Sequence, residues 1–214
     1  IAVPLYLLLA GPNYCPEIDN LNESDPITEF SVQVVGDSMF GADADGCASV
    51  STFMSLILWL QVEDNSVPGA TVIGDESIPE QYVSGDWNWT VIDGGVNDIM
   101  PHCTENDCDE VLDEIITDSG EGLIPDLVEK AQNDGSNVIL IGYYSVPKGS
   151  EYEPVILEVE IVNDRYNEFA KANEGVYFIS LKDVMSPEET PELYSDDLVH
   201  PSIDGHSAIG LSLI

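Results

Sequence analysis

Positive charge is nearly missing from this sequence. Five Lys and Arg stand against 41 Asp and Glu in 214 residues, a formal net charge of −36 at pH 7. Such a surface repels phosphate backbones and anionic headgroups, so nucleic acid and acidic membranes are excluded as partners. Charged residues are only 21% of the chain, so what is unusual is the sign and not the amount. Long apolar runs are scarce too. The uncharged opening stretch, Ile1 to Gly11, is too short for a spanning helix. It reads as the h-region and cleavage end of a secretory signal peptide, which predicts a secreted or periplasmic protein with no stable membrane insertion. Cysteine is sparse: Cys15, Cys47, Cys103 and Cys108 form an even set that fits export and two disulfides. Of the three pairings that four cysteines allow, the expected one joins Cys103 to Cys108 across a small loop, leaving Cys15 for Cys47. His102 adjoins Cys103, but four ligands at zinc spacing do not assemble. A calcium loop fails as well. With Gly46 in its sixth position, the first falls on Gly41 and the twelfth on Thr52, where oxygen ligands are required. Because the acidic residues run along the whole chain, they point to a saline environment whose counterions screen the self-repulsion. Internal repeats and low-complexity linkers are absent, which predicts one domain over residues 12–214.

What is present builds an α/β protein. Hydrophobic residues make up 43% of the chain, ample for a full core. Residues 12–30, rich in Asp, Asn, Glu and Pro, read as a polar lead-in. Val32–Val35 is a β-branched run that suits a buried strand. Apolar positions at helical spacing from Val50 to Leu60 predict a helix over about 48–60, followed by a short strand near 60–67. Trp89–Ile92 is a third strand. Helical patterns follow near 107–117 and 122–134, the second closing on Gly135 as a C-cap. Val138–Tyr143 is continuously apolar, as in a strand covered on both faces. An amphipathic helix over about 155–170 precedes a fifth strand at Val176–Ile179, and Ser202 to Ile214 reads as a last helix. Strands alternating with helices predict parallel βαβ units, hence a three-layer α/β/α sandwich with a five-stranded parallel sheet.

The candidate chemistry sits at strand ends. In Ser31–Gly41 (SVQVVGDSMFG), Gly36 breaks the first strand and Ser38 follows it, where open α/β sheets place their ligands. Ser38 suits a nucleophile. His200 suits the base that takes its proton, since imidazole as a side-chain type titrates near neutrality. Asp197, three residues earlier, can hold the far nitrogen of that ring. Asp37 and Asp98 read as structural carboxylates that bond backbone, and His206 as a packing residue. Trp87, Trp89, Tyr143 and Tyr144 lie near strand ends and are candidates for a substrate cleft or for core packing. The sequence has no G-x-S-x-G, so the sharp nucleophile elbow of the α/β-hydrolases is excluded.

Four blocks, in order, resemble the SGNH hydrolase superfamily, the GDSL-type esterases and lipases: VVGDSM around Ser38, Ser66–Thr71 with Gly69, GVND over Gly95–Asp98, and DLVHP over Asp197–Pro201. Met39 stands where that family usually has Leu. The resemblance implies a flavodoxin-like sheet and a serine ester hydrolase working through an acyl-enzyme without metal or organic cofactor. It assigns Ser38, Asp197 and His200 as catalytic. The oxyanion donors it implies are the backbone N–H groups of Ser38 and Gly69 and the side-chain amide of Asn97; Gly74 competes only weakly with Gly69. The implied substrate is a carboxylic ester, either a short-chain acyl ester, an acetylated carbohydrate or a lipid, turned over by a monomer. A non-catalytic carbohydrate- or lipid-binding protein on the same scaffold is the alternative.

Overall fold

A computed structural model describes residues 31–41, 49–58, 61–103 and 108–213 of the chain. Its centre is a five-stranded sheet: β1 (Ser31–Val35), β2 (Gln61–Asp64), β3 (Trp89–Ile92), β4 (Asn137–Gly142) and β5 (Val176–Ser180). The spatial order is β2-β1-β3-β4-β5 and each neighbouring pair is parallel. This is the flavodoxin-like strand order. Val32, Val34, Val35, Val91, Ile92, Val138, Leu140 and Ile141 are all buried. Such strands bury both faces, which is why they read as apolar runs without alternation.

Helices supply the covering layers. From β1 the chain runs through α1 (Val50–Leu58) to β2 on one side. From β3 it runs the other way, through α5 (Leu123–Asn133) to β4 and α6 (Ile156–Ala172) to β5. Right-handed crossovers in opposite directions put these helices on opposite faces. The last helix, α7 (Ile203–Ser212), packs beside α1, while α4 (Asp109–Ile115) packs against α5 and α6. α5 ends as expected, with Gly135 at φ 93° accepting the left-handed cap. Among the described residues, no helix is long and apolar enough to cross a membrane.

Two helices were not legible in the periodicity. α2 (Ile78–Gln81) is a single turn begun by Pro79. α3 (Val96–His102) starts where Gly95 and Asn97 favour a turn and carries Pro101 inside, so propensity hides it. The second strand also stops earlier than 67. Asp64 Oδ1 accepts from the N–H and hydroxyl of Ser66, turning the chain, although Val67 N–H still bonds Gly36 O at 3.0 Å. The expected disulfide between Cys103 and Cys108 ties α3 to α4. The expected Cys15–Cys47 pairing and the leader segment 1–11 lie outside the described residues.

Candidate active site

The strand order reverses between β1 and β3, and this is where an open parallel sheet leaves a crevice beyond its carboxyl ends. Both strands deliver polar residues there: β1 leads into Gly36-Asp37-Ser38 and β3 into Asp93-Gly94-Gly95. Gly36 is needed for close approach. A Cβ at that position would lie 1.5 Å from Asp93 Oδ1, so the carboxyl of Asp93 fills the space a side chain would take. Gln81 completes the turn by accepting from Gly36 N–H at 2.7 Å and donating to Gly36 O at 3.0 Å. Ser38 is thus held on a backbone clamped from two neighbouring elements.

His200 approaches from the loop before α7. Its Nε2 lies 3.0 Å from Ser38 Oγ, and its Nδ1 lies 2.6 Å from Asp197 Oδ2. Local structure sets this geometry. An antiparallel bridge between Tyr194 and Pro201 pinches the loop, and Ser195 N–H donates to His200 O at 2.9 Å. Within the pinch, Asp197 Oδ1 accepts from the Ser195 hydroxyl and from the N–H groups of Val199 and His200. Partial burial pushes the Asp197 carboxyl up, but these bonds and the one from the His200 ring outweigh it and hold the group well below the usual carboxylate range. It is therefore an anion beside the imidazole.

The remaining donors converge from two sides. Asn97, at the start of α3, donates from Nδ2 to Ala70 O at 2.9 Å and lies 3.5 Å from Asp37 Oδ2. A carbonyl can only accept, so the nitrogen of the amide must face Ala70. Tyr152 fixes the other end by donating its hydroxyl to Asn97 Oδ1 at 3.0 Å. Asn97 therefore stands between the Gly69–Ala70 turn and the Asp37–Ser38 turn. Gly69 has φ 79°, a left-handed backbone that only glycine takes without strain. Neither Ser38 N–H nor Gly69 N–H has an acceptor among the described residues.

A cavity of about 50 Å³ opens beside Ser38 and His200, with Tyr143, Tyr144 and Tyr152 in its wall. Trp87 and Trp89 are elsewhere. Trp89 opens β3 at the opposite end of the sheet and packs on Tyr177 with ring centroids 5.4 Å apart, and Trp87 bonds Val83 O. Of the four aromatic candidates, only the two tyrosines that follow β4 reach the crevice, because parallel strands bring their carboxyl ends together. Asp98 is structural as expected, accepting from Val72 and Ile73 N–H groups at 2.8 and 2.9 Å. Asp37 bonds Met39 N–H at 2.9 Å, but its other oxygen takes the hydroxyl of Tyr143 at 2.6 Å. His206 is buried. The sequence reading missed Asp93, Gln81 and Tyr152; the carboxyl at the end of β3 was the one visible signal among them.

The sheet and the crevice define a three-layer α/β protein with the SGNH hydrolase fold. Residues 34–208 match the model of the GDSL-like Lipase/Acylhydrolase family, and the chain belongs to that family. Among solved structures it is similar to a lipase/acylhydrolase from Enterococcus faecalis, at 18% identity and TM-score 0.62, over 86% of this chain and 93% of that one. A catalytic mutant of an acetylxylan esterase from Geobacillus stearothermophilus is similar at 18% identity and TM-score 0.61, over 87% and 93%. A protein from Lactobacillus plantarum is similar at 20% identity and TM-score 0.63, over 86% and 94%. At these identities the likeness is one of fold. No curated protein matches the chain by sequence.

Proposed function

We propose that this chain is a serine ester hydrolase that passes an acyl group from a carboxylic ester to Ser38 and then to water. The observation that carries the reading is the chain of contacts from Ser38 Oγ through the His200 ring to Asp197, at 3.0 and 2.6 Å. As Oγ bonds the ester carbonyl carbon, His200 Nε2 takes the hydroxyl proton and Asp197 stabilises the imidazolium. The carbonyl oxygen becomes an oxyanion, with the N–H groups of Ser38 and Gly69 and Nδ2 of Asn97 as its donors. When the carbon–oxygen bond to the alcohol breaks, His200 returns the proton to the leaving oxygen. Water then repeats the sequence on the acyl-enzyme and releases the acid. Export belongs to the same proposal, supported by the apolar, uncharged residues 1–11.

The test is hydrolysis of p-nitrophenyl acetate in molar salt by wild type and Ser38→Ala, with labelling by a fluorophosphonate. Wild type is expected to turn over and to label once, at Ser38. Ser38→Ala is expected to lose at least about a thousandfold in kcat. Equal rates in the two proteins would refute the reading.

A further inference from the structure

We propose that the cavity beside Ser38 is an acyl pocket for a short, unbranched chain of about two to four carbons, and that it does not hold the alcohol. This rests on the ester-hydrolase reading above and adds the substrate class. The first argument is size. A cavity of roughly 150 Å³ accepts a six-carbon ring, and this one is about 50 Å³. One to three carbons beyond the carbonyl fill it.

The second argument is polarity. Three tyrosines face the cavity, which at first sight suits a sugar. Each phenol has one proton to donate, and each is already spent. Tyr143 donates to Asp37 Oδ2 at 2.6 Å, Tyr144 to Val199 O at 2.7 Å and Tyr152 to Asn97 Oδ1 at 3.0 Å. The wall therefore presents ring carbon, together with the aliphatic side chains of Val146, Ile156 and Val159. A hydroxylated alcohol entering here would find no proton from these phenols for its oxygen lone pairs, whereas an alkyl chain loses nothing. Ile156 and Val159 lie one turn apart at the start of α6 and both line the cavity, so their side chains take up space beside an entering acyl chain.

The test compares kcat/KM for p-nitrophenyl acetate, butyrate and octanoate, and separately for acetates of methanol, butanol and glycerol. Wild type is expected to use acetate and butyrate within about tenfold of each other and octanoate at least about tenfold less well than butyrate, as a chain that overfills an apolar pocket requires. Ile156→Ala should raise the octanoate-to-butyrate ratio by about tenfold, and Val146→Phe, which fills space instead of opening it, should lower butyrate against acetate by a similar factor. Neither variant should change the ratios among the acetates by more than about twofold. A wild type that hydrolyses octanoate best, or variants that alter the alcohol series and not the acyl series, would overturn the acyl pocket while leaving the hydrolase intact. Absence of turnover on every ester, with Ser38 unlabelled, would overturn the hydrolase reading and the pocket with it.

Discussion

The backbone N–H of Asp37 donates to Asp93 Oδ1 at 3.1 Å, which brings two fully buried carboxyl groups together beneath Ser38. Their surroundings are unequal. Asp37 accepts from Met39 N–H at 2.9 Å and from the Tyr143 hydroxyl at 2.6 Å. Asp93 Oδ2 has no hydrogen-bond partner among the described residues. Two adjacent charges in a medium of low polarity are costly, so one of the pair keeps its proton. Burial, and next the charge of Asp37, push Asp93 well above the usual carboxylate range. Burial also raises Asp37, but the bonds from Tyr143 and Met39 oppose it. Asp93 is therefore the member of the pair that holds its proton more tightly.

That assignment predicts a pH-dependent stability. An acid whose folded-state pKa is raised binds its proton more tightly when folded. Its contribution is complete below the unfolded carboxylate pKa of about 4 and is lost as pH rises toward the raised value. Asp93→Asn cannot ionise, and its side-chain oxygen still accepts from Asp37 N–H. The urea midpoint of the variant, relative to wild type at fixed salt, is expected to climb as pH goes from 4 to 9. A difference that stays constant over that range would show that Asp93 ionises like an ordinary surface acid.

Asp197 behaves in the opposite way. Its carboxyl is held well below the usual range by the Ser195 hydroxyl, the His200 ring and two backbone N–H groups, against the raising effect of burial. It keeps its charge at pH values where ordinary carboxylates take up a proton, so Asp197 itself is expected to add no step to the acid limb of kcat/KM. Asp197→Asn should lower kcat by about 10³–10⁴-fold, since the amide can no longer hold the ring nitrogen as an acceptor. A step in the wild-type acid limb that disappears in Asp197→Asn would contradict the assignment.

These relationships differ in how far the sequence announces them. The sheet was readable because both faces of β1, β3 and β4 are covered, and complete burial writes itself as consecutive Val, Ile and Leu. Ser38, Asp197 and His200 were readable because each sits in a short block whose turn geometry is local. Asp197 reaches its partner within three residues, and the pinch at Tyr194–Pro201 does the rest. Asp93 and Tyr152 were hidden for a physical reason. Their roles depend on register between segments 56 and 55 residues apart, and no local period encodes that. α3 was hidden because Gly95, Asn97 and Pro101 argue against a helix one residue at a time, and only packing overrules them.

Tyr152 offers a test of that long-range part. Its hydroxyl holds Asn97 Oδ1, which leaves Nδ2 directed to the turn that carries Gly69 and toward the Ser38 side of the crevice. Asn97→Ala is expected to lower kcat by about 10²–10³-fold, the loss typical of one oxyanion donor. Tyr152→Phe keeps the ring in the cavity wall and removes the bond alone, so it should lower kcat by a smaller factor with KM little changed. In an Asn97→Ala background the same substitution should have almost no further effect, because residues acting through one contact are not additive. Multiplicative losses in the double variant would show that Tyr152 acts by another route.

The acidity of the surface gives the last prediction. Five cations face 41 acidic side chains, so local pairing leaves most of the charge uncompensated. Arg165 alone meets two carboxylates, Asp113 at 3.1 Å and Asp118 at 2.7 Å, while Lys182 holds Glu160 at 2.9 Å and Lys171 holds Glu168 at 2.7 Å. The rest must be screened by solvent ions. The screening length is about 10 Å at 0.1 M salt and about 3 Å at 1 M, so repulsion between neighbouring carboxylates is relieved only as salt approaches the molar range. The thermal midpoint is therefore expected to rise by several degrees with NaCl up to about 1–2 M. KCl should match NaCl, since screening depends on ionic strength and not on ion identity. Replacing a group of exposed Asp and Glu on α4 and α6 by Asn and Gln should raise the midpoint in dilute buffer and flatten its salt dependence. Repulsion falls in that variant without any added ion, whereas a gain due to salting-out of apolar surface would be untouched by it. A wild-type midpoint that does not move between dilute buffer and concentrated salt would remove the case for a saline setting.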